Sequence, residues 1–212
     1  GRQMVTVDTT IMARENRSQL NELQTDFNAR QELAQDQGKE LAKLFDTTML
    51  SVALKGALSA APADPSFGTG GYNGAFGAGH DITLGTVGDE DDPDLLYKGI
   101  ESAIISMQEK DIDTEEAVIF VRPSQYATLL NHDKLVDKDF STGNGDFASG
   151  TFSSVFGAMV QMTNRMPNQG ASLLSGAQNS NFYDISSAEA KNVALILHPD
   201  SLLVGETIPV SS

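Results

Sequence analysis

Glycines crowd residues 68 to 79, and such a run can bind a ligand because it lets backbone N–H groups approach a phosphate at the start of a helix. The partners of a phosphate site are missing from the sequence. No Gly-Lys-Ser or Gly-Lys-Thr follows the run, and acids that would repel phosphate precede the next predicted helix. The run therefore indicates a flexible or interface loop, and we predict no nucleotide or other cofactor.

Acids between residues 89 and 94 are a second candidate site, because calcium takes about six to eight oxygen ligands. Their order does not fit a calcium loop, in which acids alternate with other residues and a distal glutamate closes the site. Contiguous carboxylates cannot all turn inward, so these acids indicate the solvated start of a helix, and we predict no metal. They are Asp89, Glu90, Asp91, Asp92 and Asp94.

The histidines and serines form no recognisable catalytic pattern. His80, His132 and His198 are scattered singly, without the His-x-x-x-His spacing of a zinc site, and we predict that each is a surface or capping residue. No Gly-x-Ser-x-Gly or Ser-x-x-Lys stands in a strand-turn-helix context. We therefore predict that the chain is not an enzyme, and a hydrolase stays open as an alternative.

The 212-residue chain is acidic and contains no cysteine. Its 14 basic and 29 acidic residues give a net charge of -15, which repels nucleic acids and anionic lipid surfaces. The absence of cysteine excludes disulfides, thiolate metal sites and thiol nucleophiles. No apolar run approaches the ~20 residues of a membrane span. The chain begins at Gly1 within an apparent strand, so we expect it to be part of something longer.

One long helix is predicted from about residue 27 to 58, because apolar or small side chains recur there at helical spacing. The predicted buried stripe includes Leu41, Phe45 and Val52. Gly38 lies inside this helix, which hints at a close approach of another backbone.

Shorter elements follow a Gly-rich and acidic connection. Pro93 is placed to begin a helix whose apolar side runs from Leu95 through Ile105 to Met107, since proline suits the first helical turn. We predict strands at 114–121, 155–163, 182–187, 193–198 and 202–210, a helix at 124–131 and a polar loop at 134–151.

The segment Val118-Ile119-Phe120-Val121-Arg122-Pro123-Ser124-Gln125-Tyr126 reads as a buried strand and a helix that begins at proline. Val155-Phe156-Gly157-Ala158-Met159-Val160 and then Met166-Pro167 read as a second strand entered through glycine. This order, behind one long acidic helix, resembles the major capsid proteins of tailed bacteriophages with the Hong Kong 97 (HK-97) fold. The opening block is similar to that of short-tailed autographivirus-like podophages, in Val7-Asp8, Ala13, Arg30, Glu32, Gly38, Leu41-Ala42 and Asp46.

The resemblance implies an α+β chain with a long spine helix in a peripheral domain and a central sheet in an axial domain. By this resemblance, residues 1–13 are the base of the extended E-loop and 14–60 the peripheral domain with the spine helix. Residues 61–92 are a Gly-rich and acidic connection, 93–202 the axial domain, and 203–212 a strand that returns toward the peripheral domain.

The function implied is that of a structural virion protein that self-assembles, through pentamers and hexamers, into the icosahedral shell around the phage genome. Its partners would be copies of itself, a scaffolding protein and a portal protein, with packaged DNA only in non-specific proximity and no membrane. Assembly would take place in the cytoplasm of the host bacterium. An encapsulin-like protein compartment is the alternative within this fold, and an acidic calcium-assisted surface adhesin is the alternative from another class.

Subunit contacts are predicted on three parts of the chain. Aromatic residues on a Gly/Ser background between Lys138 and Ser154 are costly to expose unless a partner covers them. Further subunit contacts are predicted on one side of the long helix and at the base of the E-loop. The predicted interface residues are Phe140, Phe147, Phe152, Glu32, Lys39, Met4 and Val5.

Overall fold

The computed structural model describes residues 29–58, 79–136, 145–146, 150–167, 185–186 and 189–202. The helices of this part are α1 (Ala29–Leu58), α2 (Pro93–Glu109), α3 (Pro123–Leu130) and α4 (Asp133–Val136), with 3-10 turns at Asp89–Asp91, Glu189–Lys191 and Pro199–Ser201. The strands are β1 (Val118–Val121), β2 (Gly145–Asp146), β3 (Thr151–Phe152), β4 (Ser154–Val155), β5 (Ala158–Met162) and β6 (Ala194–Leu197).

The long helix is confirmed, because α1 runs unbroken for 30 residues. At about 1.5 Å per residue it is roughly 45 Å long. It passes through Gly38, where no described atom beyond the local backbone lies within 4 Å of the position that a Cβ would take. The predicted close approach at Gly38 is thus not found among the described residues, and the glycine costs the helix about 1 kcal/mol relative to alanine.

The buried face of α1 differs from the predicted stripe. Phe45 is 52% exposed, and Leu41 and Val52 are only half-buried. Leu50 and Leu54 are the buried leucines instead, since only the last turns of α1 lie against other described elements. The helical period is sufficient to predict the helix. Which of its side chains are buried depends on the elements that pack against it, and these are distant in sequence.

A four-stranded sheet in the order β4-β5-β1-β6 forms the centre of the described structure. β1 runs parallel to β5 and antiparallel to β6, so that Ile119 stands opposite Val160 on one side and Ile196 on the other. The predicted strand at 114–121 begins only at Val118, because the Ala117 N–H donates to the Thr114 carbonyl in a turn. β2 and β3 form a separate antiparallel pair.

Helices cover both faces of the central sheet, since alternate residues of a strand point to opposite faces. Ile119 and Val121 of β1 join the main core with α2 and α3, whereas Phe120 packs toward the end of α1. The main core consists of Leu96, Ile100, Ile104, Ala117, Ile119, Val121, Leu129, Leu135, Phe152, Val155, Ala158 and Val160.

A two-residue turn divides the predicted strand 155–163 into β4 and β5. Phe156 has a φ of 51° and Gly157 a φ of 86°, and positive φ at both central residues is typical of the tight hairpin turns that favour Asn-Gly. A bulky side chain in this conformation costs about 1–3 kcal/mol. Gly157 leads directly into β5, as predicted, and together with Phe156 it also reverses the chain from β4.

The remaining predicted elements are confirmed in part. The helix at 124–131 is α3, which begins one residue earlier at Pro123, and the strand at 193–198 is β6. The predicted polar loop at 134–151 contains α4 and β2, because Leu135 is buried and anchors a helical turn. Ile185 and Ser186 lie in no strand, and residues 203–210 are outside the described part.

Candidate functional site

The acids before α2 act as helix and turn caps. Asp92 Oδ1 accepts from the N–H groups of Asp94 at 2.9 Å and Leu95 at 3.2 Å, which caps the positive end of α2. The Asp89 carboxylate accepts from the N–H and the hydroxyl of Thr86 at 2.8 and 3.0 Å. These bonds confirm the predicted helix start. Within the described residues, no group of three or more His, Asp or Glu side chains is placed to hold a metal ion.

The three histidines lie in three different environments. His80 is exposed, and His198 caps a 3-10 turn through Nδ1, which accepts from the Asp200 N–H at 3.2 Å. His132 is 5% exposed, so its prediction as a surface or capping residue is wrong. Its Nε2 lies 3.3 Å from the Asp94 carboxylate, and its buried Nδ1 has no hydrogen-bond partner among the described residues.

His132 is buried because it belongs to a stack of rings, which we call the Tyr97 stack (Tyr97, His132 and Phe156). The centroids of Tyr97 and His132 are 4.2 Å apart, and the ring of Phe156 is tilted by 39° to that of Tyr97 with its centroid 5.3 Å away. Burial, and then the charge of Glu101, raise the pKa of the Tyr97 hydroxyl above its ordinary value. The stack joins α2, the end of α3 and the β4–β5 hairpin, and so supports packing rather than proton transfer.

Phe152 is 5% exposed and lies in the core, so the expectation that it is an exposed loop aromatic is wrong. Its ring stacks on Tyr126 at 4.5 Å. The Tyr126 hydroxyl also donates to the Phe152 carbonyl at 3.1 Å and accepts from the Phe152 N–H at 3.0 Å. The spacing of Tyr126 with Leu129 and Leu130 in α3 is a sequence signal that could have placed Tyr126 toward the core, but nothing in it identifies Phe152 as the partner.

The other predicted interface residues divide into exposed positions and positions outside the described part. Glu32 and Lys39 are exposed on α1, and Lys39 makes a surface ion pair with Asp36 at 3.4 Å. A contact between these side chains and another subunit stays a prediction. Met4, Val5, Phe140 and Phe147 lie outside the described residues.

Neither a protein-family model nor a curated protein matches the chain. Solved structures do match it. The structure of the bacteriophage PhiM1 mature capsid covers 92% of the chain with a TM-score of 0.70 at 22% sequence identity. The chain has the fold of a bacteriophage capsid protein. The capsid structure of cyanophage P-SCSP1u covers 86% with a TM-score of 0.63 at 16% identity, and a structure of Mycobacterium phage Che8 covers 72% with a TM-score of 0.50 at 16% identity.

These likenesses confirm the HK-97-like α+β fold predicted from the resemblance. The chain spans 64% of the PhiM1 capsid chain, 54% of the cyanophage chain and 47% of the Che8 chain. No helix of the described part is long and apolar enough to cross a membrane.

Several large apolar side chains of this capsid fold are exposed in the described part of the single chain. Ile105, predicted on the buried side of α2, is 47% exposed, and Met159 on β5 is 55% exposed. Sequence periodicity missed them because it does not show which positions of an apolar side remain uncovered. The exposed apolar residues are Phe45, Leu58, Val87, Ile105, Phe156, Met159 and Met162.

Proposed function

We propose that the chain is the shell-forming part of a tailed-phage major capsid protein, which self-assembles into the icosahedral head around the packaged genome. The likeness to the PhiM1 mature capsid, over 92% of the chain at a TM-score of 0.70, carries the proposal. Closed rings of identical subunits, pentamers and hexamers, are the contacts through which such a shell grows. The short-tailed podophage type stays a prediction, which rests on the opening block of residues.

Exposed large apolar side chains support self-association, because a neighbouring copy that covers them removes apolar surface from water. Met159 and Phe45 are each more than half exposed. We propose that they, with the predicted contacts at Glu32 and Lys39, meet neighbouring copies of the chain. By the same proposal α1 is the spine of a peripheral domain, and the central sheet is the core of an axial domain.

Charge supports a shell that encloses DNA. A net charge of -15 repels a packaged nucleic acid, so the genome meets the shell in non-specific proximity only. Location in the virion shell, assembly in the host bacterial cytoplasm, and scaffolding and portal partners all belong to this proposal.

The alternatives have less support. An encapsulin-like compartment has this fold with a protein cargo, whereas the matched structures named above are from phages. The calcium-assisted adhesin depended on the acids before α2, and Asp89 and Asp92 instead accept hydrogen bonds from nearby backbone. A structural shell protein also needs no catalytic residues.

The test is the size and content of the particle formed by the protein from its native source. We expect elution in the void volume of a sizing column, closed shells in electron micrographs, and DNA that survives nuclease treatment. A shell that holds protein instead of DNA would favour the compartment. A small oligomer without shells would overturn the proposal.

A further inference from the structure

An ion pair joins the long helix to the sheet side of the molecule. Lys55 Nζ, in the last turn of α1, lies 3.1 Å from Glu189 Oε1, at the start of a 3-10 turn that is 134 residues away in sequence. Both side chains are only 18% exposed, so this pair is shielded from water far more than the surface pairs of α1. Shielding makes the loss of one charge costly, because the other charge is then left partly buried without its partner.

Glu189 is held in place by its own turn. Its second carboxylate oxygen accepts from the Ser186 N–H at 2.7 Å, and the Glu189 N–H donates to the Ser186 hydroxyl at 3.3 Å. The Ser186 N–H is the largest cause of a Glu189 pKa below its ordinary value of 4.5, and Lys55 lowers it further. Glu189 is thus a fixed anion at the point where α1 ends.

The same turn is tied to the sheet by hydrogen bonds to backbone carbonyls. Arg122, directly after β1, donates from Nη2 to the carbonyls of Ala190 and Pro167, each at 3.0 Å. Asn192 donates to the same Pro167 carbonyl at 3.2 Å. Burial lowers the pKa of the Arg122 guanidinium. The turn therefore stays with the sheet whether or not Lys55 holds it.

Buried apolar contact between α1 and the sheet is confined to the last turns of the helix. Leu50, Ala53 and Leu54 pack against Met166 and Leu195. No side chain of α1 described before Leu50 is buried. Among the described residues, the buried contacts of α1 therefore lie in its last turns, so a change of angle there moves the rest of the helix.

We propose that the Lys55–Glu189 pair is a latch that sets the angle of α1 to the central sheet and is released by acid. The charged group that contacts the carboxylate is Lys55 from α1. Lys191 lies on the same 3-10 turn, and Arg122, after β1, donates to the carbonyl of the adjacent Ala190. Because the Glu189 pKa is lowered in the folded chain, the latch is fully present above the ordinary carboxyl range and is lost as pH falls through that lowered pKa. The inference concerns each chain separately and does not require shell formation.

The length of α1 makes the breaking of the Lys55–Glu189 pair measurable as a distance change. Gln35 is about 30 Å along α1 from Lys55, so a tilt of about 10° at the latch moves it by about 5 Å. The chain has no cysteine, so labels can be placed uniquely. Spin labels at the exposed positions Gln35→Cys and Ser102→Cys report the distance between α1 and α2 in the full chain. We expect one narrow distance at pH 7, and a shift or broadening of several ångströms as the pH is lowered stepwise below the ordinary carboxyl range and through the lowered Glu189 pKa.

Three variants identify the pair as the cause. Glu189→Gln keeps an acceptor for Ser186 but not the charge, and should give the broad distribution at pH 7. Glu115→Gln, the control at an exposed acid, should keep the narrow one. The double variant Lys55→Glu with Glu189→Lys exchanges the two charges and should restore at least part of the narrow distance distribution. Circular dichroism must show the same helix content throughout.

A narrow distance in Glu189→Gln at pH 7 would overturn the latch. If Glu189→Gln does not fold, the distance between the two spin labels is measured at decreasing pH in the chain that keeps Glu189. A distance that stays unchanged while the helix content is intact would also overturn the latch. Neither result bears on shell formation, which the particle assay tests separately.

Discussion

The ring of Tyr97 lies flat on the imidazole of His132, with centroids 4.2 Å and planes 14° apart. The imidazole is 5% exposed, and its Nδ1 has no partner among the described residues. A buried polar atom without a hydrogen bond costs about 1–3 kcal/mol. His132 therefore stabilises the fold through its shape and its stacking, and its unpaired Nδ1 offsets part of that stabilisation.

Replacement of His132 with Phe should keep the ring on Tyr97 and remove the unpaired nitrogen. The lost contact is with Asp94, whose side chain is 79% exposed, so it contributes about 1 kcal/mol or less. We expect the free energy of unfolding in urea to be unchanged or to rise by about 1 kcal/mol. His132→Ala, the matched variant without a ring, should lower it by about 2–4 kcal/mol. Equal losses in both variants would contradict a role based on stacking.

Phe156→Asn tests whether the hairpin turn is strained. Asparagine tolerates the positive φ of this position, which relieves about 1 kcal/mol, and the lost ring contact with Tyr97 costs a similar amount. We expect the free energy of unfolding to stay within about 1 kcal/mol of the parent value. Gly157→Ala, at φ 86°, should destabilise the same turn by about 1 kcal/mol or more, because alanine does not suit that conformation. A stable Gly157→Ala chain would show that the turn differs in solution.

Tyr126→Phe removes a single oxygen atom but should lower the free energy of unfolding substantially. The hydroxyl donates to the carbonyl of Phe152 and accepts from its N–H, so its removal leaves two backbone groups of a buried residue without this partner. We expect a loss of about 2–3 kcal/mol in urea unfolding. Thr128→Ala, at an exposed hydroxyl on the same helix, should cost less than about 0.5 kcal/mol. Similar losses at the two positions would argue against the hydrogen-bonded pair.

The sequence predicted those elements whose signals are local. α1 follows from helical spacing, α2 and α3 from proline at the first turn, and β6 from its apolar residues. The fold class followed from the order of these elements and the resemblance to capsid proteins. Each of these signals lies within a short stretch of chain and does not depend on distant partners.

The errors fall where a distant partner decides the outcome. Phe45 fits the predicted stripe of α1 and Leu50 does not, but only Leu50 meets the packed end of the helix. His132 and Phe152 look like surface and loop residues until Tyr97 and Tyr126 are placed beside them. The Lys55–Glu189 pair spans 134 residues and has no signal in either neighbourhood. Composition and spacing do not determine which elements meet.

Met159→Thr tests the exposed apolar surface of β5 as a contact between subunits, and it depends on the proposed shell. Met159 is 55% exposed in the single chain, so the free energy of unfolding should change by less than about 1 kcal/mol. If a neighbouring copy covers the side chain, the yield of closed shells on a sizing column should fall several-fold. Gln161→Thr is the matched control, two residues along the same strand and also exposed, and it should leave the yield unchanged. Equal yields from both variants would place the shell contacts elsewhere, and the predicted Phe140 and Phe147 contacts would then be the next to test.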